Sequence, residues 1–448
     1  MSTAQPELRA TYAIVGAGVF GASTALHLSR QHPDATIYLI DREPHPSRRA
    51  ASWDWNKVVR ADYADPAYMA LGLEAARAWA SDPLLAPLYH ESGTLWIADG
   101  DFARVIAGNY ARLGATTDHH HRPEVVDPDE ARRRYGGLFA GADYSRVTQV
   151  LVNPSGGWAP AKEALRAVVD AAVGAGVVYL QGNVDLLRLD SDGSCTGLRL
   201  SNGTTVTASN VILSTGANTA RLLADSAPDS DDFQVGDRMV AAAICTGLVK
   251  LGPEDAEKYR RGPVCCQHLL PGRGGSLPPT RENYLKFWVD IPFRNTLRHS
   301  SGREISMPPD EPDYAQWEVS QVLKDEVLAV NRGVFGLAGS DFSIEEHRIC
   351  WDAVTPTGDF LVSPHPASKN LFIATAGSFH GWKFLPILGK YVVQMMEGTL
   401  VEELKQRWSW RREAGDPKAN DMWPRRELRN LGYDVEALPK DQRSPPCI

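Results

Sequence analysis

Three glycines and one aspartate near the start of the chain have a spacing that suits a pyrophosphate and a ribose. Gly16, Gly18 and Gly21 stand in Gly16-Ala17-Gly18-Val19-Phe20-Gly21, and Asp41 follows twenty residues beyond Gly21. In such a run the first glycine permits a tight turn and the second lets a pyrophosphate approach the backbone. The third lets the following helix pack closely, and the acid accepts hydrogen bonds from a ribose. The chemistry indicated is the binding of an adenine dinucleotide, with NAD and FAD not separated by the motif. A second glycine turn, Ala376-Gly377-Ser378-Phe379-His380-Gly381, suits an anionic or polar cofactor edge in the same way. Lys286 stands in Tyr284-Leu285-Lys286-Phe287-Trp288-Val289-Asp290, a run with strand character. Alternation with period two places Lys286, Trp288 and Asp290 on one face. Six cysteines, among them Cys350, are too sparse for a disulfide scaffold, and none forms a C-x-x-C pair. His119, His120 and His121 are adjacent, so their side chains diverge in a polar stretch, and no metal is expected.

These residues need elements to hold them. Tyr12 to Val15 is a short apolar run leading into the first glycine turn, and Ala22 to Ser29 carries apolar residues at helical spacing. Thr36 to Ile40 reads as the strand that ends at Asp41, and Pro44 to Trp55 as a polar loop able to reach over a cofactor. A helix is expected near Pro66 to Ala80. From Val177 to Ser214, short β-rich pieces alternate with the turn signals Asp192-Gly193 and Asn202-Gly203. The last piece runs into Ser214-Thr215-Gly216-Ala217 and reads as a strand returning to the cofactor domain, with Gly216 at the cofactor. Residues 226–345 interleave proline, glycine and charge with short apolar pieces, as a second, substrate-facing domain would. Leu371 to Thr375 is a further strand, and an apolar helix pattern continues through Met396.

The whole chain sets limits. At 448 residues it exceeds what one core usually organises, and 43% hydrophobic with 23% charged residues is an ordinary globular composition. A net charge of −8 gives no general attraction to nucleic acid or to anionic membranes. No apolar run is long enough to span a bilayer. Met1 to Ala10 is polar with no signal-peptide core, and the last residues form no peroxisomal tripeptide, so a cytoplasmic location is expected.

Taken in order, the first glycine turn, Ser214-Thr215-Gly216-Ala217, Arg348-Ile349-Cys350-Trp351 and Gly381-Trp382-Lys383-Phe384 carry a resemblance. So do Asn56-Lys57-Val58-Val59, Gly156-Gly157-Trp158-Ala159 and the stretch from Lys258 to Pro263. The chain resembles the flavin-dependent amine oxidases, specifically the fungal fructosyl amino acid oxidases (amadoriases) and the monomeric sarcosine oxidases, over roughly Tyr12 to Leu400. The resemblance implies an α/β protein, D-amino-acid-oxidase-like, with a Rossmann-type FAD-binding domain and a discontinuous α+β substrate domain. The division expected is 1–90, 150–225 and 346–400 for FAD, 91–149 and 226–345 for substrate, and 401–448 as a C-terminal tail.

The resemblance also implies roles. FAD is attached covalently through its C8-methyl group to the cysteine matching Cys350, a bond that forms from a thiolate and is favoured by nearby positive charge such as Arg348. The lysine matching Lys286 promotes oxygen reduction, because a fixed cation stabilises developing superoxide. At about 5 Å and an effective dielectric of about 20, that is worth ~3 kcal/mol, on the order of a hundredfold in rate. Lys57 and Arg60 match basic residues at the flavin or substrate, and Lys383 matches a lysine that faces the substrate carboxylate. The sequence departs from the sugar-specific pattern: Asp290 stands where amadoriases have glutamate, and the second sugar contact is left open among Arg425, Arg426 and Arg429. Trp53, Trp55, Trp288 and Trp382 offer either aromatic pocket surface or plain packing.

The expected activity is FAD-dependent oxidation of a C–N bond in an amino-acid-derived secondary amine, N-alkyl or N-methyl and possibly aromatic, giving an imine and hydrogen peroxide. Hydride leaves the carbon next to a neutral nitrogen, with no obligatory general base where neighbouring cations favour the neutral amine. The alternatives are a fructosyl amino acid oxidase, a nicotinamide-dependent dehydrogenase and, from another class, a non-catalytic flavin-binding protein.

Overall fold

The structure is a computed structural model and describes residues 7–114, 122–310, 316–339, 342–413 and 415–432. The histidines 119–121 therefore lie outside the described residues.

The strand Glu7–Val15, whose apolar end Ala13–Val15 is buried, lies in the middle of a sheet. It pairs in parallel with Ile37–Asp41 and with Thr205–Leu213. Parallel pairing extends outward to Val178–Gln181 on one side and Leu371–Thr375 on the other. Leu361–Pro364, Val184–Leu189 and Cys195–Leu200 add antiparallel strands, giving eight in all among the described residues. The helix Val19–Gln31 is buried along most of its length and packs on Ala161–Gly174 and Leu388–Met396. A Cβ on Gly389 would stand 2.1 Å from the Ser23 carbonyl oxygen, so only glycine allows the two helices to approach this closely. The helix expected near Pro66 runs over Pro66–Ser81, capped by the Asp65 carboxylate, which accepts from the Ala67 N–H at 2.8 Å.

A second sheet, of ten strands among the described residues, is mostly antiparallel and centres on Val240–Lys250, which pairs with both Tyr284–Val289 and Ile344–Val354. Its core gathers Leu95, Val152, Phe287, Phe335 and Trp351. Three boundaries move relative to the sequence reading. Val150–Asn153, expected in the cofactor part, pairs with Thr94–Ile97 in the second sheet. Ile344–Val354, most of it expected in the cofactor part, pairs along Val240–Lys250. Arg426–Glu427 of the expected tail pairs with Phe293–Arg294. The reasons differ: Val150–Asn153 is buried at every position and so carries no mark of the sheet it joins, whereas Ile344–Val354 mixes charged and apolar residues and pairs with the remote Val240–Lys250, which leaves no local signal of its partner.

Among the described residues no helix is long and apolar enough to cross a membrane. Nor do any three or more His, Cys, Asp or Glu side chains of those residues gather as a metal ion would require.

Candidate active site

A cavity of about 960 Å³ runs from the first glycine turn to the second sheet. At one end Gly16 has φ +98, and a Cβ there would stand 2.4 Å from the Ser214 carbonyl oxygen. Gly21 does not line the cavity; a Cβ on it would fall 1.8 Å from the Gly16 carbonyl oxygen, so its role is to let helix and turn pack. Gly18 and Gly216 do line it, and the helix that starts after Gly18 begins at the cavity, with the Val19 N–H donating to Ser52 Oγ at 2.7 Å. The Asp41 carboxylate accepts from the Ala17 N–H at 2.8 Å and borders the same space. Burial pushes the Asp41 carboxyl up from the usual range.

The loop read as reaching over a cofactor does border the cavity, through Ser47, Ala50, Ala51 and Ser52. It is pinned by Arg348, fully buried, whose Nη2 donates to the Ala50 carbonyl oxygen at 2.9 Å and whose guanidinium sits over Trp53 at 5.4 Å and Trp317 at 5.7 Å. Trp53 and Trp55 do not line this cavity. They meet each other edge to face at 5.2 Å and both contact Trp317, so plain packing accounts for them.

The other end of the cavity gathers the predicted reactive groups. Cys350 is buried on Ile344–Val354, opposite Ile244, and lines the cavity. Lys286, Trp288 and Asp290 all line it, as one face of Tyr284–Val289 and the position just after it. Lys286 Nζ is 2.6 Å from Asp54 Oδ2 and donates to the Asn56 carbonyl oxygen at 2.8 Å. Lys57 Nζ lies 3.1 Å from the same Asp54 oxygen. Asp54 has no exposed surface; burial pushes its carboxyl up, but the charges of Lys286, Lys57 and Arg348 outweigh this and hold it well below the ordinary range. Burial, with Lys57 adding to it, pushes Lys286 down to about 8 despite Asp54. Lys57 is lifted because Asp54 outweighs its burial. The cluster therefore sets three cations around Asp54, with the Asp352 carboxyl also bordering the cavity within reach of Lys57, all beside Cys350. Asp54 is the functional residue that the sequence reading missed.

Arg60 and Lys383 border the cavity near Asp290. The Arg60 guanidinium sits 4.7 Å from the ring centres of both Tyr63 and Trp96 and donates to the Asp62 carbonyl oxygen. Lys383 is buried; its Nζ is 3.0 Å from the Tyr63 hydroxyl oxygen and 2.8 Å from the His380 carbonyl oxygen. Neither cation forms an ion pair with a carboxylate among the described residues. Asp290 accepts from Trp288 Nε1 at 3.1 Å, and burial pushes its carboxyl up. Gly381 lines the cavity too; a Cβ there would press on Gly377 at 2.9 Å. Of the C-terminal arginines, Arg425 donates to the Lys418 carbonyl oxygen and Arg426 pairs with Glu326; none of Arg425, Arg426 and Arg429 borders the cavity.

The cradle can be tested against the cofactor it suggests. Ser214 Oγ and Thr375 Oγ1 are buried, line the cavity and have no hydrogen-bond partner, and the glycine turn brings the start of a helix to the same space. Such a surface fits a long polar cofactor with a phosphate at one end, and the thiol, the cations and the aromatic side chains at the other end suit a redox-active ring. Fold and site together define a dinucleotide-binding redox protein with its reactive groups between two sheets.

The particular family follows from sequence. The profile described as DAO, FAD dependent oxidoreductase, matches residues 11–395, and the chain belongs to that family. It is thus a flavoprotein and an oxidoreductase. L-Saccharopine oxidase of Schizosaccharomyces pombe is 28% identical over 437 residues, covering 92% of this chain and 95% of that protein. Human peroxisomal sarcosine oxidase is 23% identical over 398 residues, covering 85% and 90%. The crystal structure of fructosyl peptide oxidase from E. terrenum matches with a TM-score of 0.80 at 24% identity, over 97% of this chain and 100% of that one, which shows the shared fold.

Proposed function

We propose that this protein oxidises the C–N bond of an amino-acid-derived secondary amine to an imine, with oxygen as electron acceptor and hydrogen peroxide as the second product. The observation that carries the reading is the pair Arg60 and Lys383, two basic side chains that have no carboxylate partner among the described residues and face the cavity that also holds Lys286 and Cys350. A substrate carboxylate completes them, and charge-assisted hydrogen bonds of this kind are among the stronger ones. FAD, when bound, accepts hydride from the carbon next to nitrogen and hands the electrons to oxygen. Gly16, Gly18, Gly216 and the helix end would hold its phosphates, Asp41 its ribose, and Cys350 would carry it covalently. Gly381 borders the same space, Lys286 supplies the cation at which oxygen is reduced, and Lys57 shares its counter-ion Asp54.

Trp288, Trp96 and Trp382 give the substrate end apolar stacking surface, while Asp290 already accepts from Trp288. A fructosyl group needs many hydrogen-bond partners, each unsatisfied hydroxyl costing about 1 to 3 kcal/mol, and the C-terminal arginines are engaged elsewhere. An N-alkyl or N-methyl amino acid is therefore the better substrate. A second reading, a secondary amine with more than one carboxylate, is favoured by the presence of two basic side chains rather than one at this end of the cavity and by the similarity to an L-saccharopine oxidase.

Anaerobic bleaching of the bound flavin tests these readings together. An N-methyl apolar or aromatic amino acid, or saccharopine, is expected to bleach it faster than fructosyl-glycine or fructosyl-valine. The same amine lacking its carboxylate should be poorer, and Lys383→Ala should narrow that difference. Faster bleaching by the fructosyl compounds would restore the amadoriase reading, and no bleaching by any amine would point to a non-catalytic flavin protein.

A further inference from the structure

The hydrogen bonds around Lys383 can run in only one direction. His380 Nε2 lies 2.8 Å from the Gly358 carbonyl oxygen, which can only accept, so Nε2 carries the ring proton. Burial pushes His380 down from the usual imidazole range, which leaves the ring neutral and Nδ1 bare. Nδ1 therefore accepts the Tyr63 hydroxyl at 3.0 Å, and Tyr63 keeps that proton because burial lifts its ionisation above the usual range. Tyr63 Oη can then only accept from Lys383 Nζ at 3.0 Å, and the His380 carbonyl oxygen, 2.8 Å from Nζ, is again an acceptor only. Two N–H bonds of Lys383 are thereby committed. A neutral amine has two and an ammonium has three. The remaining position on Nζ has no protein partner among the described residues, and Lys383 borders the cavity.

Burial and the two neighbouring cations oppose an ammonium at rest, against one nearby carboxylate that favours it. Arg60 and Lys57, on and after Lys57–Val59, are cations, and together with burial they hold Lys383 well below the ordinary lysine range. Cys266, on Val264–Gln267, stays a neutral thiol because burial pushes it up. Asp62 is the nearby carboxylate, but four donors already engage it: Thr94 Oγ1 at 2.7 Å, Trp96 Nε1 at 2.9 Å, the Tyr110 hydroxyl at 3.0 Å and Asn153 Nδ2 at 2.6 Å.

We propose that Lys383 rests as a neutral amine whose lone pair faces the cavity, and that it takes the proton of the incoming amino acid's secondary ammonium while the resulting Lys383 ammonium pairs with that substrate's carboxylate. The N–H bond of the substrate breaks and leaves its electron pair on nitrogen, and a new N–H bond forms on Nζ. No oxidant or further reactant enters the step. The substrate emerges as the neutral amine whose lone pair hydride loss requires, so the pocket contains a base where like charge alone was expected to suffice. This rests on the proposed oxidation of an amino acid amine and adds to it a catalytic role for the lysine that holds the carboxylate.

The test uses the FAD-loaded enzyme and (methylthio)acetate, which has sulfur where N-methylglycine has its nitrogen and so brings a carboxylate without an ammonium proton. Calorimetric titration at pH 8 in buffers of different ionisation enthalpy counts the protons exchanged. The expected result is uptake of about one proton per ligand bound, because Lys383 must then draw its proton from solvent. Lys383→Arg, which is always charged, should bind the ligand with no uptake, and its flavin reduction by an N-methyl amino acid at pH 7 should slow by roughly a hundredfold. That rate should recover as pH rises and the substrate amine frees itself. Binding to the wild type without proton uptake, or equal uptake in Lys383→Arg, would overturn the proposal, and so would failure of the carboxylate to bind. Amine bleaching without proton uptake sinks only the base and leaves the oxidase reading standing; proton uptake without any bleaching sinks that reading instead.

Discussion

Asp54 has no exposed surface and yet touches two ammonium groups, which makes it the electrostatic centre of the candidate site. Removing one partner of a buried ionic group strands the others, so this carboxylate governs how readily Lys286 stays charged. The cation on Lys286 is present below about 8 and is lost as pH rises through that value. Reoxidation of reduced enzyme by oxygen should therefore slow above pH 8, and in Asp54→Asn, where the counter-ion is gone, the midpoint should move to lower pH. Lys286→Met should slow reoxidation by roughly a hundredfold while changing reduction by amine far less. Stopped-flow measurement of the two half-reactions separates these effects, and equal losses in both would make Lys286 structural. Lys286 was singled out through the family resemblance, since a lysine in a strand run is by itself read as lying at the solvent edge. Asp54 was not, since Trp53-Asp54-Trp55 reads as a polar loop and its partner Lys286 is remote along the chain. The one local signal was the spacing of Asp54 and Lys57, three residues apart.

At the scale of elements, the first strand, glycine turn and helix were legible because each depends on residues a few positions apart. The structure divides the labour among the glycines in a way that substitution can test. A Cβ on Gly21 would stand 1.8 Å from backbone, with nothing soft to yield, whereas on Gly18 it would meet the Ser52 hydroxyl at 3.1 Å. Gly21→Ala should therefore cost about 2 to 3 kcal/mol of stability through overpacking, read as a lower denaturant midpoint. Gly18→Ala should cost less than about 1 kcal/mol and instead weaken retention of FAD. A reversed order would mean that Gly18, not Gly21, sets the helix against the sheet. The second sheet was far less legible. Thr94–Ile97, Val150–Asn153 and Val264–Gln267 are buried at every position, so the alternation that marks a half-exposed strand is missing, and Thr94–Ile97 finds both its partners, antiparallel Val150–Asn153 and parallel Val264–Gln267, far along the chain.

Across the whole molecule, the cavity is bounded by two sheets that come from interleaved stretches of chain. The glycine turn belongs to the first sheet and Cys350 to the second, where Ile344–Val354 lies along Val240–Lys250. A cofactor held by the turn and bonded to Cys350 would tie the two layers together. Its contribution to stability would then no longer depend on how much free cofactor is present, because a ligand stabilises by mass action only while it can leave. This gives two expectations for the covalent bond. After acid precipitation the yellow chromophore should stay with the wild-type polypeptide and map to the peptide containing Cys350, while Cys350→Ser should release it to the supernatant. The Tm of the wild type should not change with added FAD, whereas that of Cys350→Ser should fall below it and climb as FAD is added. A colourless wild-type pellet, with a Tm that climbs with FAD in both proteins, would leave the family's cofactor in place but held by the turn and the surrounding side chains alone.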